Sequence, residues 1–314
     1  MRMQRIGCLG APTESGASQR GTVMGPAALR TAGLIAALRD LGHEVIDFGD
    51  AAPDGLEADP LSHPKMRNIA EVAGWARGLM RRGREIRAAG LTPIFLGGDH
   101  CISLGTVAAV SAEAARQGRE QFMLWLDAHP DFNTFETSLT GNMHGTPVAF
   151  LCGLPGFEAL LDGPLAAPLD PRNVLMLGIR SADPHERRLI RDHGVGVHDM
   201  RDIDENGIAK LLGPFLQTVA QRDGLLHISL DVDFLDPEIA PGVGTTVPGG
   251  VTFREAHLAM EMLYDSGLVS SLDLAELNPF LDERGRTARL LTDLTASLFG
   301  RRTLDRPTRT PWSG

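Results

Sequence analysis

Short apolar runs alternate with longer segments of helical periodicity from one end of the chain to the other. The runs cover residues 5–9, 44–48, 93–96, 122–126, 174–177, 195–198, 226–230 and 269–274. Most are apolar on both faces, as strands of a parallel sheet are when helices cover each side. Between them, residues 26–41, 66–89, 104–117, 208–222 and 253–265 repeat apolar positions at helical spacing. Gly42, Gly90 and Gly267 stand where a glycine closes a helix. Thr252 with Glu255 three residues on has the form of a capping box. The alternation predicts a doubly wound α/β fold of about eight strands. No linker-like composition divides it, so residues 1–314 read as one domain. Residues 153–170, rich in proline, read as a long surface loop, and the arginine-bearing tail 301–314 as a frayed terminus.

Composition narrows the classes of function. Hydrophobic residues make up 43% of the chain and charged residues 22%, which predicts a packed core. Forty acidic residues against 30 Lys and Arg give a net charge of −10. That balance argues against nucleic acid or an anionic membrane as partner and is compatible with a cationic substrate or metal ions. No apolar stretch is long enough for a membrane span or a secretory signal, so a cytoplasmic location is expected. Cys8, Cys101 and Cys152 are odd in number and far apart, which reads as free thiols rather than a disulfide framework or a thiolate metal site.

Several apolar runs end in abrupt polar clusters, at the end of the strand where open α/β sheets bind ligands. These are Gly97-Gly98-Asp99-His100, Asp127-Ala128-His129-Pro130-Asp131-Phe132-Asn133, Asp231-Val232-Asp233 and Ala275-Glu276-Leu277-Asn278. The spacing of two between Asp127, His129 and Asp131, and between Asp231 and Asp233, places each set on one side of an extended chain. Converging carboxylates repel one another unless cations sit among them. Four carboxylates and two imidazoles neutralise two divalent ions, and a donor set of oxygen and nitrogen without sulfur suits Mn²⁺ while accommodating Zn²⁺, Co²⁺ or Ni²⁺. Each Asp alone would read as a turn former and each His as a hydrogen-bonded bystander. Together, at the ends of three strands, they point to a dinuclear site.

With GGDH, DAHPDFN, GNMHG, SLDVDFLDP and the Gly-Thr-rich segment ending at Gly249-Gly250, the sequence resembles the ureohydrolase family of arginases, agmatinases and their relatives. The likeness runs from Gly21 to Pro279, and DAHPDFNT followed by TGNMHG is most similar to the arginase form. The resemblance implies a three-layer α/β/α subunit with a mostly parallel sheet, assembled as a homo-oligomer, trimer or hexamer, and two Mn²⁺ per subunit. One ion would be held by His100, Asp127, Asp131 and Asp231, the other by Asp127, His129, Asp231 and Asp233. The implied reaction is hydrolysis of L-arginine to L-ornithine and urea by a metal-bridging hydroxide. In it, Asp131 orients the nucleophile, His144 shuttles protons and Glu276 meets the guanidinium. Asn133 and Thr140 would face the α-carboxylate, with Asp183, backed by Glu186, facing the α-amino group. Thr140 stands where arginases usually carry Ser, and Cys101 where GGDH is usually followed by Ser, the latter reading as a packing change. Alternatives within the resemblance are an agmatinase, another guanidino-acid hydrolase such as a guanidinobutyrase, or a catalytically inactive relative.

Overall fold

The computed structural model describes residues 3–55, 62–161, 163 and 165–304. Its centre is one sheet of eight strands: β1 (Arg5–Ala11), β2 (Glu44–Asp50), β3 (Thr92–Gly97), β4 (Gln121–Leu126), β5 (Val174–Ile179), β6 (Gly196–Asp199), β7 (Leu225–Asp231) and β8 (Val269–Ala275). The spatial order is β2-β1-β3-β8-β7-β4-β5-β6, and every pairing is parallel. All eight apolar runs are therefore strands.

The helices are α1 (Gly25–Thr31), α2 (Leu34–Asp40), α3 (Ile69–Ala88), α4 (Ile102–Arg116), α5 (Pro147–Leu151), α6 (Pro184–His193), α7 (Met200–Asn206), α8 (Ile208–Gln221), α9 (Phe253–Ser266) and α10 (Arg286–Leu298). They form a layer on each face of the sheet, because alternate residues of each strand face opposite ways. Ile94 and Leu96 join a core with Leu38, Leu216 and Leu291, while Phe95 between them joins a second core with Trp75 and Leu79.

Four expectations are corrected. Residues 26–41 are two helices, since Gly33 takes the left-handed backbone (φ 89°) that a continuous helix excludes. The helix expected from residue 66 begins at Ile69, after Asn68 with φ 51°. The segment expected as a loop at 153–170 contains a short 3₁₀ turn (Glu158–Leu161) and buries Leu154, Phe157, Leu160 and Leu169 against the second core. At the start of the arginine-bearing tail, Arg301 pairs with Asp293 at 2.6 Å, while Arg302 lies over the Tyr264 ring and pairs with Asp265. Residues 305–314, including Arg306 and Arg309, fall outside the described residues. No described helix is long and apolar enough to cross a membrane.

Candidate dinuclear metal centre

The four central strands β3, β8, β7 and β4 deliver one residue each to the same end of the sheet. His100 follows β3, Glu276 follows β8, Asp231 ends β7 and Asp127 follows β4. All four side chains are buried.

The period of two in Asp127/His129 and Asp231/Asp233 does not come from extended chain, as the spacing alone suggested. Beyond β4 the backbone bends, and beyond β7 it enters a 3₁₀ turn (Val232–Phe234). Each leading Asp folds back on the amide two residues on: Asp127 Oδ1 accepts from His129 N at 2.6 Å, and Asp231 Oδ1 from Asp233 N at 2.8 Å. These Asx turns bring residues i and i+2 together while leaving the second carboxylate oxygen of each Asp free. Asp131 and Glu276 are both held in left-handed backbone (φ 48° and 65°), a conformation that costs a non-glycine residue energy and gathers at functional sites. Gly98 is required beside them, because a Cβ there would sit 1.9 Å from the Thr13 carbonyl oxygen.

Two donor groups result. In the first, His100 Nδ1 lies 2.8 Å from Asp231 Oδ2, 3.0 Å from Asp127 Oδ2 and 3.4 Å from Asp131 Oδ2. In the second, His129 Nδ1 lies 3.0 Å from Asp233 Oδ2 and 3.5 Å from Asp127 Oδ1. Asp127 thus belongs to both groups. Burial first, and then neighbouring carboxylates, hold Asp131, Asp231 and Asp233 above the ordinary carboxylate range. Burial also pushes Asp127 upward, but the imidazoles of His100 and His129 outweigh it and hold this carboxyl low. Burial disfavours a charged His129, yet Asp127 and Asp233 raise its pKa to about 12.

The residues fit a pair of divalent ions. Among the described residues, no Lys or Arg forms an ion pair with any of the four carboxylates. Moreover, His100 Nδ1 and Asp127 Oδ2 are buried 3.0 Å apart, yet neither makes a hydrogen bond. Two buried polar atoms this close and without a hydrogen-bond partner are what a cation bound between them would satisfy.

A supporting shell holds the donors, and much of it was not singled out from the sequence. The His100 ring stacks on Trp125 at 4.0 Å and 9°, and its Nε2 meets Ser229 Oγ at 2.8 Å, leaving Nδ1 for the cluster. Trp125 and Ser229 stand two residues before Asp127 and Asp231, so strand alternation could have marked both. Thr245 Oγ1, from the Gly-Thr-rich segment, donates to Asp233 Oδ2 at 3.0 Å. Asp99 does not join the donors; its carboxylate accepts from the Gly16 and Cys101 amides, both at 2.9 Å. Cys101 is buried there, in keeping with packing. Arg180 donates to the main-chain carbonyls of Asp233, Gly178 and Val247, tying β5 to the loop beyond β7.

Next to the donors, His144 Nδ1 lies 2.9 Å from Glu276 Oε1, the same oxygen that accepts from His100 N at 2.8 Å. At the rim, Asn133 Nδ2 donates to Asp183 Oδ2 at 3.1 Å, and Thr137 Oγ1 donates to Asn133 Oδ1 at 2.8 Å. Asp183 caps α6 in a capping box with Glu186. Glu186 Oε1 also accepts from Phe132 N at 3.1 Å, and burial raises this carboxyl to about 7. The helix cap thereby locks the DAHPDFN loop against α6. Thr140 is exposed, and its hydroxyl accepts from Asn142 N at 3.1 Å, so it closes a turn rather than touching Asn133.

A parallel eight-stranded sheet with paired His/Asp donor groups at its carboxyl end defines the ureohydrolase architecture. Residues 4–300 match the model of the arginase family. The chain is 60% identical over 302 residues to an arginase of Agrobacterium fabrum, covering 96% of this chain and 92% of that one. It is 40% identical to an arginase of Bacillus subtilis, covering 95% and 99%. The crystal structure of arginase from Bacillus subtilis superposes with a TM-score of 0.86 at 39% identity, covering 96% of this chain and all of that one. The arginase of Entamoeba histolytica in complex with L-ornithine superposes at 0.85 with 28% identity, covering 96% and 100%. The chain belongs to the arginase family, as an arginase-type hydrolase.

Proposed function

We propose that the protein hydrolyses the guanidinium group of L-arginine to L-ornithine and urea with two Mn²⁺ bound between the paired donor groups. The carrying observation is the placement of Asn133 and Asp183, hydrogen-bonded to each other, beside those groups. An amide donor next to a carboxylate suits the α-carboxylate and α-ammonium of an amino acid. Agmatine, which lacks the carboxylate, would leave the Asn133 amide without that partner.

His100, Asp127, Asp131 and Asp231 would hold one ion, and Asp127, His129, Asp231 and Asp233 the other. When bound, such a pair activates water as a nucleophile at neutral pH and polarises the group attacked. The remaining work belongs to the chain. Glu276, buried and ionised, accepts a charge-assisted hydrogen bond from the guanidinium and fixes its carbon over the donor groups. Asp131 orients the attacking oxygen and passes its proton toward the departing amine. His144, on the same Glu276 oxygen, carries protons between the site and bulk solvent. Thr140, at the exposed rim, contributes to the carboxylate end of the substrate through water.

As the family resemblance implies, we infer a cytoplasmic homo-oligomer, trimer or hexamer, to be measured by light scattering. Urea release from L-arginine, agmatine, guanidinobutyrate and guanidinopropionate with Mn²⁺ supplied tests the reading. Preference for L-arginine by at least tenfold in kcat/KM is expected, and preference for agmatine overturns it.

A further inference from the structure

The opposite end of the sheet carries a second concentration of charge. A cleft of about 450 Å³ opens at the amino ends of β1, β3, β7 and β8 and is lined by Arg5, Arg87 and Arg119, with Thr92 among its polar neighbours. Among the described residues, no Asp or Glu lines it, although the chain has 40 acidic residues against 30 basic ones. The three arginines come from β1, α3 and the turn after α4, so the fold assembles them from separate parts of the sequence.

Their bonding shows which donors are spare. Arg119 is engaged, donating to the Asp223 carbonyl oxygen at 2.7 Å and to its carboxylate at 3.0 Å. Arg5 Nε pairs with Glu44 at 3.0 Å. Arg87 differs. It is half-buried, and its only hydrogen bonds among the described residues run from Nη1 to the carbonyls of Leu91 and Ser270 at 3.4 and 3.5 Å, long for such bonds. Among the described residues, none accepts from its Nε or Nη2, and none brings a carboxylate within ion-pair distance. An arginine that only capped chain ends would make short carbonyl bonds, as Arg119 does. Burial pulls the Arg87 pKa down, and the charge of neighbouring Glu113 opposes this without outweighing it, while Arg119 adds to it.

We propose that this cleft binds a small multivalent oxyanion, a phosphate or a dicarboxylate, with Arg87 as the central donor and Arg5 and Arg119 flanking it. Guanidinium forks match both ligands, so the chemistry is shared. The site is separate from the metal centre. Strands of six or seven residues, roughly 20 Å of extended chain, lie between the cleft and His100, Asp231 and Glu276.

The test is thermal unfolding of the metal-saturated protein titrated with inorganic phosphate or with succinate, at ionic strength held constant with chloride. A saturable rise in Tm of about 2–6 °C is expected for at least one of them. A rise with phosphate alone assigns a phosphoryl ligand, and one with succinate alone a carboxylate. Arg87→Gln should abolish the rise and Arg5→Gln should weaken it, while Arg84→Gln, exposed on the same helix, leaves it intact. If Arg87→Gln does not fold, the comparison of Arg5→Gln with Arg84→Gln decides. Absence of a saturable rise with either anion overturns the proposal. So does an equal rise in the Arg87→Gln or Arg5→Gln protein, since the anion then sits elsewhere.

Discussion

His144 and Glu276 share one hydrogen bond of 2.9 Å, and the Glu276 oxygen that makes it also accepts from the His100 amide at 2.8 Å. One carboxylate oxygen therefore ties the proposed proton carrier to a metal-donor loop. The other oxygen is the one that the proposed reaction assigns to the cationic substrate. Glu276→Gln keeps the size and removes the charge, which should lower kcat/KM for L-arginine by about 10- to 150-fold, the worth of a hydrogen bond to a charged group. Steady-state kinetics with metal content verified decide it; unchanged kcat/KM means that Glu276 only supports the loop.

Asp127 belongs to both donor groups, whereas His100 and His129 each belong to one. Asp127→Ala should therefore strip both ions, and His100→Ala or His129→Ala should leave about one per subunit. Metal stoichiometry of the purified variants measures this. Histidine variants emptier than the aspartate variant would refute the sharing.

Asn133 is hydrogen-bonded to both Asp183 and Thr137. If its amide receives a substrate carboxylate, Asn133→Ala should lower kcat/KM for L-arginine by about 10- to 150-fold and leave agmatine nearly unaffected. Thr140→Val should act in the same direction but less, since the hydroxyl is exposed and closes its own turn. An equal loss for both substrates would show that Asn133 holds Asp183 in place instead.

Metal removal should make stability depend on pH. Asp131, Asp231 and Asp233 have folded pKa values above their unfolded ones, because of burial and then mutual repulsion, and His100 and His129 are raised by their carboxylate neighbours despite burial. Raised groups bind more protons folded than unfolded, so their contribution is full below the unfolded pKa and is lost as pH rises through the folded one. Asp127 has the opposite sign, but it is lowered and changes only at acidity below this range. The Tm of metal-free protein should thus rise by several degrees between about pH 8 and pH 6, and saturating Mn²⁺ should flatten the dependence. A metal-free Tm that falls over this interval contradicts the clustered carboxylates.

The inner strands such as β3 and β4 were legible because parallel strands covered on both faces are nearly uninterrupted apolar runs, whereas the edge strands β2 and β6 are largely exposed or half-buried and show the pattern more weakly. Helices α5, α6, α7 and α10 were not singled out. α5 is only five residues, and α6 (PHERRLIRDH) is so polar that Glu186 is its one buried residue. The donors were legible as residue types at strand ends. Their geometry was not, because an Asx turn and an extended strand place i and i+2 together equally well in a sequence. The sequence assigned no role to Asp99 of the GGDH motif, and the fold shows its carboxylate turned toward the Gly16 amide.

The strand order carries a consequence for synthesis of the chain. β8 is the last strand to be made, yet it lies between β3 and β7 in the middle of the sheet. A nascent chain ending before residue 269 has the edges of β3 and β7 bare and facing each other across a missing strand. Bare edges of this kind recruit foreign strands, so the growing polypeptide is most exposed to aggregation shortly before it is complete. The same insertion delivers Glu276 to His100, 176 residues earlier in the sequence. In the proposed reaction, hydrolytic competence therefore waits on the closing of the sheet, because a chain cut before its last strand lacks the carboxylate assigned to the guanidinium.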